Sequence, residues 1–153
     1  MLKRNRWAIG LTGAAVLALV LGVKGVVGLE HVVFVEPEAT PAWVQRVALV
    51  DDAIERSEVS RAVYEWREAY GAAVRTKGSE ALIAVAERAI RIAELSGGSG
   101  YFVNEARYIY LHAAGRARAE RSRETILKIA EAFDRLGDTE RASQVRRLAE
   151  QQS

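Results

Sequence analysis

The sequence predicts an all-α protein in which an N-terminal single transmembrane helix is followed by a domain of six helices. Three observations predict it. Trp7 to Val23 is an unbroken uncharged run. From Pro41 onward apolar residues recur at the helical spacing of three and four. Residues that start and stop helices punctuate that periodic stretch. The expected boundaries are a basic N-terminus at 1–6, the membrane span at 7–28, an extended connector at 29–40 and the helical domain at 41–153.

The span comes first because it decides where the rest of the chain works. Its 17 residues from Trp7 to Val23 would cover roughly 25 Å as a helix, and continuing to Gly28 with Lys24 snorkelling gives about 33 Å, enough for a hydrocarbon core of about 30 Å. A cleaved signal peptide also begins basic and apolar, but its apolar region runs only about 7 to 15 residues and ends on a small-x-small site. Here the run is longer and continues as Val-Lys-Gly-Val-Val-Gly, which favours a retained anchor. Lys3, Arg4 and Arg6 precede the span, whereas Glu30, Glu36 and Glu38 follow it, so the positive-inside bias keeps the N-terminus cytoplasmic. The helical domain is then expected outside, in a bacterium the periplasmic face of the inner membrane. Ala14, Ala18 and Gly22 recur at every fourth position and would form a small-residue stripe against which another membrane helix can pack.

Composition narrows the class of the remainder. About 124 residues beyond the anchor suffice for one domain with its own core. The chain has no cysteine, which excludes a disulfide scaffold, a thiolate metal site, a covalently attached c-type haem and a lipidated N-terminal cysteine. Removing Lys3, Arg4, Arg6 and Lys24 from the 22 basic residues leaves 18 against 20 acidic ones. That balance argues against general nucleic-acid binding.

Each element follows in order. Val32 to Val35 and Pro37 give a short extended connector, since proline disfavours helix there. Thr40 and Pro41 form a cap and first-turn pair for a helix with Val44, Val47, Val50 and Ile54 on one face. Ser57 is expected to cap the second, which carries Val59, Ala62, Val63, Trp66, Tyr70, Ala73 and Val74 and ends at Lys77-Gly78. Ser79 starts the third, with Leu82, Ile83, Ala86, Ile90 and Ala93, and the Ser96 to Gly100 loop stops it. The fourth runs from about Tyr101 to Arg118 with Phe102, Ala106, Ile109, Tyr110 and Ala113 on one side. Ile126, Ile129, Ala130, Phe133 and Leu136 mark the fifth, and Gly137-Asp138 turns into a sixth from Thr139 to about Gln151.

The last two helices resemble the tetratricopeptide repeat, a helical hairpin of about 34 residues, in Ile126, Ile129, Ala130, Phe133, Gly137-Asp138, Ala142 and Ala149. The second-helix signature of alanine, bulky residue, alanine also occurs as Ala62, Trp66, Ala69 and as Ala106, Tyr110, Ala113. The steps from Ala62 to Ala106 and from Ala106 to Ala142 are 44 and 36 residues, the excess falling in the Ser96 to Gly100 loop. The last copy has Arg146 at the bulky position, which suits a terminal helix facing water. Asp51 stands where the first helix of the first copy would carry an aromatic. The alternative is a generic six-helix domain with coincidental spacing.

The resemblance implies an array of about three helical hairpins over about residues 41 to 152, pairing the first helix with the second, the third with the fourth and the fifth with the sixth, and a binding scaffold with a concave groove lined by the outward positions of each first helix. Those are Gln45, Leu49 and Asp52; then Glu80, Ile83, Glu87 and Arg91; then Glu124, Leu127, Glu131, Asp134 and Arg135. Six acids against two arginines would make the groove acidic and fit it to a partner segment with basic and apolar residues. The second helices carry Arg61, Arg67, Arg75, Arg107, Arg116, Arg118, Arg141, Arg146 and Arg147, so the convex side would be the more basic. The bland reading is that these are solvated helix faces.

Other residues are weaker signals. His112 lies beside Tyr108 and Tyr110 without a second ligand nearby in sequence. Gly97-Gly98-Ser99-Gly100 lacks the lysine and spacing of a phosphate loop. Glu120 and Glu124 interrupt the cluster of Arg116, Arg118, Arg121 and Arg123. Asp51 and Asp52, being adjacent, point about 100° apart on a helix and form no acid–base pair.

The expected function is therefore a membrane-anchored protein-interaction scaffold, or an accessory or assembly subunit of a membrane complex. Its partners would be other membrane or periplasmic proteins and the bilayer, with no nucleic acid and no evident small-molecule substrate, cofactor or enzymatic activity. An accessory subunit would dock through Ala14, Ala18 and Gly22 and through Trp43, Trp66 or the valine run. Two alternatives are a His112-centred cofactor-binding or enzymatic domain and a domain that binds anionic lipid surfaces through its arginines.

Overall fold

A computed structural model describes residues 40–152 of the chain. The membrane span, its Ala14/Ala18/Gly22 stripe and the connector up to residue 39 lie outside the described residues. No helix among those described is long and apolar enough to cross a membrane.

Six α-helices and no strand are found among the described residues: α1 (Ala42–Glu55), α2 (Val59–Arg75), α3 (Glu80–Leu95), α4 (Gly100–Ala119), α5 (Arg123–Arg135) and α6 (Thr139–Glu150). They pair as α1 with α2, α3 with α4 and α5 with α6, the pairing the repeat resemblance implies. Consecutive hairpins stack through α2 on α3 and α4 on α5, and α1 also packs on α3. This all-α array of stacked hairpins is compatible with a helical repeat.

The six signature alanines explain the close approach within each hairpin. Ala62, Ala69, Ala106, Ala113, Ala142 and Ala149 are all buried, and a methyl side chain lets two helix backbones come near while leaving no void. The bulky residues between them reach the next hairpin. Trp66 stands edge-on to Phe102 of α4, with ring centroids 5.6 Å apart, and its indole N–H donates to the Val85 carbonyl of α3 at 3.0 Å. Tyr110 meets Phe133 of α5 at 5.9 Å. Arg146, at the same position in α6, instead pairs with Asp134 near the surface.

The connections repeat one turn. The amides of Glu58, Ser122 and Asp138 donate to the carbonyls of Ala53, Ala117 and Phe133, each at 2.9 Å. The intervening residues Ser57, Arg121 and Gly137 take φ of 58°, 55° and 70°. This is the helix-ending motif that needs a left-handed residue, and only Gly137 adopts it without a Cβ penalty. Ser57 therefore closes α1 and does not cap α2, whose preceding residue is Glu58 without a side-chain cap bond. Thr40 likewise makes no cap, since Pro41 occupies that position. Two side-chain caps are present: Ser122 accepts from the Thr125 amide of α5 and Asp138 from the Arg141 amide of α6.

Candidate functional site

The first helices of the three hairpins converge on an open cleft of about 650 Å³. Trp43, Val44 and Val47 of α1 and Ile83 and Ala84 of α3 give it an apolar floor. Glu80, Glu87 and Arg88 of α3 and Thr125 and Lys128 of α5 supply polar walls. On α3, positions 80, 83, 84 and 87 follow the three-four spacing that puts them on one face. The floor thus lies between two carboxylates about two turns apart, roughly 10 Å.

Charged groups at the cleft edge are already matched. Arg88 donates from Nε and Nη2 to the two carboxylate oxygens of Asp51, at 3.2 and 2.8 Å, and Arg91 pairs with the same carboxylate. Asp51 is what α1 uses to hold α3, which gives a role to a residue that breaks the repeat pattern. Lys128 pairs with Glu124 at 2.8 Å; that hydrogen bond holds the ammonium above its ordinary pKa and the carboxyl below its own. At the far end Glu120 accepts from the Ser79 amide at 2.7 Å and from its hydroxyl at 2.5 Å. Ser79 is the residue before α3, so this bidentate contact ties the α4–α5 corner to the start of α3. Glu80 makes no side-chain hydrogen bond or ion pair among the described residues and remains open to a ligand.

The expected groove residues divide. Glu80, Ile83 and Glu87 line the cleft. Gln45, Leu49 and Asp52 are on the opposite side of α1 from Trp43 and Val47, with Gln45 donating to the Thr40 carbonyl and Asp52 paired with Arg56 and Arg61. Arg91 is spent on Asp51, Leu127 packs partly against the core, Asp134 pairs with Arg146, and Glu131 and Arg135 are exposed outside the lining. The lining holds three carboxylates, Glu80, Glu87 and Glu120, against Arg88 and Lys128, so the cleft is mixed in charge where an acidic one was expected. The phase of α1 is hard to read because Ala48, Leu49 and Val50 are consecutive and Gln45, Arg46, Asp51, Asp52 and Glu55 are spread round the helix, leaving no clean polar face. Trp43 was the available signal.

Several arginines have internal duties. The Arg116 guanidinium donates to the carbonyls of Ala73, Val74, Thr76 and Gly78, closing the end of α2. That removes it from the arginine cluster expected at the α4–α5 corner. Arg107 reaches the Leu136 carbonyl at 3.3 Å and lies 3.5 Å from Asp138. Trp66, expected as a docking residue, is 3% exposed and therefore internal. His112 is exposed on α4, outside the cleft lining. No group of three or more His, Cys, Asp or Glu side chains among the described residues is placed to hold a metal ion. No protein-family model, curated protein or solved structure matches the chain.

Proposed function

We propose that the protein is a membrane-tethered scaffold whose tetratricopeptide-like hairpins bind a partner protein in the cleft between α1, α3 and α5. The cleft itself carries the reading. Three elements that are far apart in sequence contribute an apolar floor with charged walls, the arrangement that buries part of a peptide and orients it by its polar groups. The uncharged run at 7–23 and its basic flank support a tether, and the charge asymmetry around it supports an extracytoplasmic domain acting as a scaffold or accessory subunit beside other membrane proteins.

A photo-reactive amino acid placed at Ile83 of the full-length chain in its native membranes tests this, with Tyr64 on α2 as the comparison site. A defined protein adduct from position 83 that is absent from position 64 and is lost on adding Ala84→Arg is the expected result. Identical adducts from both positions, or none from position 83, would overturn it.

A further inference from the structure

The solvent face of α4 is unusual for an exposed helix. Tyr101, Tyr108 and Leu111 are 57%, 64% and 41% exposed, and all fall on the side opposite the buried Ala106, Ile109 and Ala113. Between Gly100 and Gly115 the ionisable groups of this face besides the tyrosines are Glu105 and His112, with Arg107 at its edge donating to Asn104 at 2.9 Å. A surface rich in tyrosine and poor in lysine has the composition of an interface core.

Gly115 is the second observation. It lies inside α4, where glycine costs about 1 kcal/mol relative to alanine, and a Cβ built there would meet nothing within 4 Å. Nothing inside this domain requires the missing side chain. Its absence would let a second helix approach closely there.

We infer that the outer face of α4 pairs with the same face of a second copy of this chain, antiparallel and centred on Tyr108. The face is self-complementary in that register. Tyr108 meets its own counterpart on the two-fold axis, where phenol rings can stack. Tyr101 and Gly115 lie equally far on either side of Tyr108 in sequence, so the large ring of one copy sits over the glycine of the other. Glu105 and His112 share one flank of the helix, and in an antiparallel pair equal flanks meet; each carboxylate then faces an imidazole of the other copy. Asn104 and Leu111 share the opposite flank and meet in the same way. Size and hydrogen-bonding polarity thus match across one axis.

The chain's lack of cysteine makes a direct test available. Full-length Tyr108→Cys and, for comparison, Tyr64→Cys, which is 61% exposed on α2, are oxidised with copper phenanthroline in membrane vesicles. The expected result is a disulfide-linked dimer from Tyr108→Cys, its loss when Gly115→Leu is added, and none from Tyr64→Cys. Gly115→Leu has open space around it and strengthens the helix, so loss of the dimer cannot be ascribed to unfolding. Glu105→Lys should weaken the cross-link, and exchanging the pair as Glu105→His with His112→Glu should restore it. Equal yields from the two cysteine variants, or a cross-link indifferent to Gly115→Leu, overturns the proposal. So does absence of cross-link from Tyr108→Cys, the outcome if a different protein or the bilayer covers this face.

Discussion

Tyr110 shows how much one side chain of the core controls. Its ring is 1% exposed, and burial, with Glu87 as the next cause, pushes its phenol up to about 12. Because the folded state holds the proton more tightly than the unfolded one, the associated stability is complete below the ordinary value of about 10 and is lost as pH rises toward 12. Two units correspond to roughly 2 to 3 kcal/mol. Tyr110→Phe should keep the contact with Phe133 and remove this alkaline loss, so denaturant midpoints of the wild type and variant should diverge between about pH 10 and 12 with the variant the more stable. Parallel curves across that window would mean that Tyr110 ionises as freely folded as unfolded. The same residue was legible in the sequence as the bulky member of an alanine-flanked signature, and its packing follows from that pattern. Its neighbour across the helix, Tyr108, has the same chemistry and 64% exposure, a difference that helical phase alone assigned correctly.

At the scale of elements, what could be read from the sequence was whatever depends on local periodicity. Six helices and their ends to within about two residues followed from the three-four spacing and the stop signals, and their hairpin pairing from the recurring alanine signature. The candidate site was only partly legible, because a cleft depends on how hairpins stack. Glu80, Ile83 and Glu87 fall on the cleft since α3 is strongly sided; Gln45, Leu49 and Asp52 fall on the other side of α1, whose polar residues are spread round the helix. Caps were misread for a related reason: Ser57 looks like a start residue but the chain turns left-handed there, and Ser79 spends its hydroxyl on Glu120. The end of α2 was invisible in sequence, because its cap arrives from α4. Arg116 donates there to four carbonyls, a cation at the negative end of a helix. Arg116→Met keeps much of the aliphatic packing and removes the guanidinium donors from Val74, Thr76 and Gly78, while the Ala73 carbonyl keeps the Thr76 amide, at a cost of about 2 to 3 kcal/mol. Thermal or denaturant unfolding would show it, and a loss under about 0.5 kcal/mol, the size of an ordinary surface substitution, would mean that water replaces the guanidinium.

Across the whole molecule, the contacts make stability uneven in a way that bears on binding. The α3–α4 hairpin is packed on both sides, by α1 and α2 before it and by α5 and α6 after it. The α5–α6 hairpin is held on one side, mainly through α4 on α5, and its outer helix is largely polar. Stacked hairpins with only neighbour contacts open from their ends. Hydrogen exchange should therefore find the amides of α3 and α4 opening only with global unfolding, and those of α5 and α6 opening earlier, once Tyr110–Phe133 and Arg107–Asp138 separate. The order matters because α5 carries Thr125 and Lys128 into the cleft. A partner that touches both α3 and α5 binds only while the third hairpin is docked, and mass action then stabilises that docked state by RT ln(1 + [L]/Kd), about 2.7 kcal/mol at a hundredfold excess over Kd. Adding a bound partner should thus slow exchange in α5 and α6 far more than in α3 and α4, whose opening is already global. Protection that is uniform over the six helices without partner, or a partner that protects α2 and α4 while leaving α5 unchanged, would place binding elsewhere than the cleft.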